Sequence, residues 1–169
     1  MKRTMLATLA LAILATALTV SPATVTAQNQ APDRSLTGVW LVKITPRNCA
    51  TGEPIAAAAF EALYTFHDDK TMLVSLRNIL LTVERSPAHG LWDRQLGWST
   101  YSFKFMHIRT TAATGAFAAW QEASGTLVLA ESGDEFTTDG ATRSFDVNGD
   151  LLPGASCSNS AGTRLKLEP

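Results

Sequence analysis

The stretch GVWLVKI, residues 38–44, alternates as an extended chain does. Successive side chains of a strand point to opposite sides, so Trp40, Val42 and Ile44 share one face and Lys43 takes the other. Gly38 lies on the face of Trp40, two residues before it. A missing side chain beside a large ring speaks of crowding. The small residue leaves room where the backbone crosses the end of a closed sheet, and the indole fills the floor.

Working outward, the same period of two recurs nearly to the C-terminus. Strands are predicted at residues 36–44, 60–67, 72–77, 89–94, 98–108, 117–131, 136–147 and 163–167. Turn-forming clusters separate them: HDDKT, QLG, ESGDE and DVNGD. In the last of these Asn148-Gly149 predicts a type I′ turn. Gly125 reads as a bulge or bend within a long strand. The helix-friendly piece is the alanine run within residues 54–62; residues 51–59 form either a short helical lid on the barrel rim or a plain surface loop. About eight strands at short spacing make an all-β sandwich or barrel. Because aromatic-in, polar-out alternation persists on nearly every strand, a single up-and-down antiparallel β-barrel is expected.

The first 27 of the 169 residues have the form of a signal peptide. Lys2 and Arg3 precede an apolar run, and Val25-Thr26-Ala27 offers small residues for cleavage near Ala27. The run is too short, and lacks the flanks, for a permanent membrane span. The expected organisation is a leader at 1–27, a flexible segment at 28–35 and a barrel domain at 36–169. Export places the chain in the periplasm or outside the cell, where Cys49 and Cys157 would form one disulfide. With Lys2 and Arg3 gone, 12 basic residues face 15 acidic ones, a net charge of −3. That mild negative charge, without a Lys/Arg cluster, argues against nucleic acid or an anionic membrane as partner.

Gly38, Trp40 and an arginine on the last strand, Arg164, resemble the pattern of the lipocalins, within the broader calycin group. The resemblance implies that Arg164 stacks over Trp40 and seals one end of the barrel, and that a large loop spans the other. The chain also resembles small exported bacterial proteins that share its cysteine pair and the central segment RSPAHGLW, residues 85–92. That likeness implies no activity.

Chemistry is thinly marked. His67, His89 and His107 lack the spacing of a zinc site, so no metal is expected. DVNGD lacks the sixth-position glycine and closing glutamate of a calcium loop and reads as a turn. No phosphate-binding glycine loop or nucleophile elbow occurs, and no cofactor is implied. Lys104 is costly to bury unpaired, so it should face water. Tyr101, Phe103, Phe105 and His107 then face inward, joined by Tyr64, Phe66 and Trp120 as ligand-binding candidates. His107 is either an interior group able to orient a ligand or move a proton, or an outward histidine near a strand end. With Glu122, it is the best catalytic candidate.

Three functions follow. The barrel binds a small apolar or amphipathic molecule in an aromatic-lined interior. Alternatively it is a cofactor-independent cyclase or isomerase working in the same cavity, or a packed interaction domain with no ligand at all. Binding leads, because it needs only a cavity.

Overall fold

The computed structural model describes residues 34–77 and 82–167. The leader and nearly all of the segment expected to be flexible lie outside the described residues. The described residues form a closed antiparallel barrel. Its strands are β1 (Gly38–Arg47), β2 (Phe60–Phe66), β3 (Thr71–Leu76), β4 (Val83–Arg85), β5 (Ala88–Arg94), β6 (Thr100–Thr111), β7 (Phe117–Leu129), β8 (Glu135–Phe145) and β9 (Ser156–Arg164). Eight of them pair up-and-down in the order β1-β2-β3-β5-β6-β7-β8-β9, and β9 returns to β1. Closure leaves these eight strands without a free edge.

The ninth, β4, is an addition that the alternation does not announce. It lies on the same edge of β6 as β5: Arg85 pairs with Arg109, and His89 with Met106. Ser86 and Pro87 interrupt the line, since proline cannot donate to a ladder. Ser86 mends the gap. Its N–H donates to the Ile108 carbonyl and its Oγ accepts from the Ile108 N–H, both at 3.0 Å.

One end of the barrel is filled. Trp40, Phe66, Met72, Trp92, Tyr101, Leu127, Leu129 and Phe136 are buried there beneath Leu36. Trp40 and Phe136 have ring centroids 4.9 Å apart, and Phe66 meets Phe136 edge-on at 6.2 Å. Arg164 pairs with Trp40 across β9 and β1, and its guanidinium stands 4.3 Å over the indole. It donates to the carbonyls of Ser35, Thr37 and Gly133 and approaches Asp134 at 3.6 Å. Gly38 is needed for this. It sits at φ +129°, and a Cβ there would come 3.0 Å from Arg164 Nη1.

At the other end, Cys49 and Cys157 form a disulfide with Cα atoms 5.2 Å apart. It ties the chain just past β1 to the start of β9. Ala56–Ala58 make a single 3-10 turn in which no residue is buried, and Ile55 is half exposed. The apolar face expected against the rim is therefore not formed.

Two local expectations change. Asn148 does not take positive φ; Gly149 alone does, at 88°, so the turn is not type I′. Asp146 Oδ1 instead accepts from the N–H of Asn148 and of Asp150, which winds the loop around its own carboxylate. Gly125 is not a bulge. It pairs in register with Gly140, and a Cβ there would sit 2.2 Å from the Asp139 carbonyl. The irregularity falls instead between Arg109 and Thr110.

Candidate functional site

The aromatic filling stops partway along the barrel. Beyond Tyr64 and Phe105 lies a half-open cavity of about 200 Å³. Its two walls differ because the strands that build them differ. β1, β2, β3 and β6 supply Ile44, Phe60, Tyr64, Leu76, Phe103 and Phe105. β8 and β9 supply hydroxyls and small residues at every second position: Thr138, Gly140 and Thr142, then Ser156, Ser158 and Ser160. One side can pack against a ring or chain, and the other can exchange hydrogen bonds. Burial pushes the Tyr64 phenol well above its ordinary pKa, so it stays protonated as a donor.

His107 lies between the walls. It is 3% exposed, yet neither ring nitrogen has a hydrogen-bond partner. Gln121, opposite it in the β6–β7 ladder, is near enough to favour the imidazolium slightly without aligning on either nitrogen. Burial outweighs this. Together with the charges of Arg85 and Arg109, burial lowers the His107 pKa to about 4. The imidazole is neutral at pH 7, with one donor and one acceptor to offer.

The expected site residues divide three ways. Tyr64, Phe103, Phe105 and His107 line the cavity. Phe66 and Tyr101 point inward too, but belong to the packed end: Phe66 meets Trp92 at 5.9 Å, and Trp92 meets Tyr101 at 5.7 Å. Trp120 and Glu122 are on the outer face. Their ladder partners Ile108 and Met106 alternate with inward-facing His107 and Phe105. Trp120 is 39% exposed and contacts Phe117. Glu122 forms ion pairs with Arg143 at 2.6 Å and Lys104 at 3.1 Å. Those two cations hold its carboxyl below the usual range. The sheet thus stands between Glu122 and His107, and the two cannot act on one substrate atom.

The correction for Trp120 has a physical source. Tyr64, Phe103 and Phe105 fill the interior beside the middle of β7, so β7 presents small residues to them. Ala123 and Gly125 do so, opposite Phe105 and Phe103. Counting back in twos from Leu127 and Leu129, rather than from the aromatic ring, puts Gln121 inside and Trp120 outside. The alternate serines and threonines of β8 and β9 carried a similar signal. Among the described residues, no three His, Cys, Asp or Glu side chains gather to hold a metal ion, and no helix is long and apolar enough to cross a membrane. Compared with protein-family models, curated proteins and solved structures, the chain matches none of them.

Proposed function

We propose that this is an exported, lipocalin-like binding protein that takes one small amphipathic molecule into its barrel. The single observation that carries the reading is His107. A buried polar group without a partner costs about 1–3 kcal/mol, and here both nitrogens of one imidazole go without, on a side chain that lines the cavity. A ligand that donates to or accepts from that ring would recover the loss. The cavity's size suits one ring with a short substituent. An engineered cavity of about 150 Å³ already holds benzene, and this one is about 200 Å³. The aromatic wall would take the ring and the hydroxyl wall its polar group. A disulfide fits the oxidising compartment that the leader implies.

No tryptophan lines the cavity, so calorimetry is a better readout than indole emission. Benzamide, a neutral ring with one polar group, should bind with a dissociation constant in the roughly micromolar to millimolar range. Phe105→Arg, which drives a long side chain into the cavity, should abolish the heat. Unchanged binding in that variant, or no binding to the unaltered protein, would refute the reading.

A further inference from the structure

Two arginines oppose each other at the edge of this cavity: Arg85 lines it, and Arg109 is its partner in the ladder. Arg85 of β4 and Arg109 of β6 are direct partners in an antiparallel register, where like charges oppose each other at a cost. Both are partly buried, which sharpens the repulsion. Arg85 lines the cavity and lays its guanidinium over the Phe60 ring at 5.4 Å. Arg109 follows His107 by two residues, so it shares the inward face of β6. Its Nε is buried without a hydrogen-bond partner, and it forms no ion pair among the described residues. No carboxylate lines the cavity among those residues.

Six cations, Arg47, Arg77, Lys104, Arg143, Arg164 and Lys166, sit within ion-pair distance of an acid. At the cavity the fold concentrates positive charge and supplies no acid from its own wall. An oxyanion there would be held by charge-assisted hydrogen bonds from guanidinium groups, whose planar forks match a carboxylate. A neutral imidazole beside it can donate one further N–H.

We propose that Arg85 and Arg109 seat the carboxylate of the cavity's ligand, so that the molecule bound is a small organic acid. Its ring or short chain points inward against Tyr64, Phe103 and Phe105. This rests on the reading of the cavity as a binding site and adds the chemical class of its occupant. The β4 addition then has a use, since it brings Arg85 to the cavity.

The test compares benzoate with benzamide, which share a shape and differ in charge, by calorimetry on the whole protein at about 0.1 M salt. Benzoate should bind roughly tenfold or more tightly. Arg109→Gln should shrink that acid-to-amide ratio to within about threefold, and Arg85→Gln should do so independently should the first variant fold poorly. Lys43→Gln, which removes an equal charge from the outer face, should leave the ratio alone. Equal binding of acid and amide overturns the carboxylate seat while the cavity reading stands. A ratio that survives both arginine substitutions overturns it as well. If neither compound binds, the cavity reading itself has failed, and this inference falls with it.

Discussion

The two ends of the barrel handle the same problem, burial of polar atoms, in opposite ways. At the filled end each buried polar group is met. Trp40 Nε1 donates to the Leu36 carbonyl at 2.9 Å, and Trp92 Nε1 to the carbonyls of His67 and Thr71. The Tyr101 hydroxyl donates to the Trp98 carbonyl and accepts from Arg94. Arg164, the buried cation of that end, has its own ring of carbonyls and Asp134. At the cavity end neither His107 nitrogen has a hydrogen-bond partner, and Arg85, which donates to the Arg77 carbonyl at 3.4 Å, opposes the like charge of Arg109. The difference teaches where stability is made and where it is given up. A region that satisfies itself holds the fold together, and one that does not would, on the function proposed above, gain from a ligand.

The ends also differ in what fastens them. Rings and Arg164 close one, while the other is hollow and carries the disulfide. Replacing both cysteines, Cys49→Ala with Cys157→Ala, should give the largest loss. The bridge spans 108 residues of chain, worth roughly 4–5 kcal/mol in the loop-entropy account. Denaturant unfolding measures the total, and amide exchange locates it. Protection should fall first in β9 near Ser156 and last in β1 near Trp40. Equal loss at both ends would show that the barrel opens as one unit.

Trp40→Ala attacks the filled end directly and should cost about 3–5 kcal/mol, as truncation of a fully buried aromatic does. Arg164→Lys should cost less, about 2 kcal/mol, because the charge remains while the fork that reaches three carbonyls is lost. A lysine variant as unstable as the alanine one would mean that Arg164, rather than the indole, closes this end.

The filled end was far more legible in the sequence than the cavity. Gly38, Trp40 and Arg164 are chemically distinctive, and period two fixed which side they face. So too for Tyr101, Phe103 and Phe105, whose phase followed from the cost of burying Lys104. The cavity's polar wall was hidden because its residues are small. Residues 156–164, SCSNSAGTR, contain neither the β-branched aliphatics nor the aromatics that mark a strand, so the last strand was expected only from residue 163. Ser156, Ser158 and Ser160 border the cavity, while Gly162 yields its space to the Phe136 ring. Arg85 and Arg109 were unremarkable until the β4–β6 register made them opposite partners.

The third test uses pH on the cavity end. With the His107 pKa at about 4 in the fold and about 6.5 in the unfolded chain, the unfolded state binds the proton first as pH drops. Stability is therefore complete above about pH 6.5, declines through the interval, and levels off below about 4 as far as this group is concerned. Between pH 7 and pH 5 the loss should be about 1–2 kcal/mol. His107→Gln should flatten that part of the profile. A profile identical in the variant would remove His107 from the account of the cavity's polar deficit.

The smallest expected effect separates the two ends most cleanly, because it uses one chemical change in both directions. Val74 is completely buried, while Thr138, at 6% exposure, borders the cavity. Valine and threonine have nearly the same shape, so exchanging them tests the polarity of the site rather than its volume. Val74→Thr forces a hydroxyl into the aromatic half and should cost about 1–3 kcal/mol. Thr138→Val removes a hydroxyl from a wall that open space adjoins, so stability should change by less than about 1 kcal/mol in either direction. The same variant should still weaken benzamide, because the lost hydroxyl belongs to the polar wall that would orient the amide. A stable variant with reduced affinity shows that the hydroxyls of β8 and β9 are there for a ligand. If Thr138→Val unfolds the barrel as Val74→Thr does, that wall is structural, and the contrast between the two ends disappears.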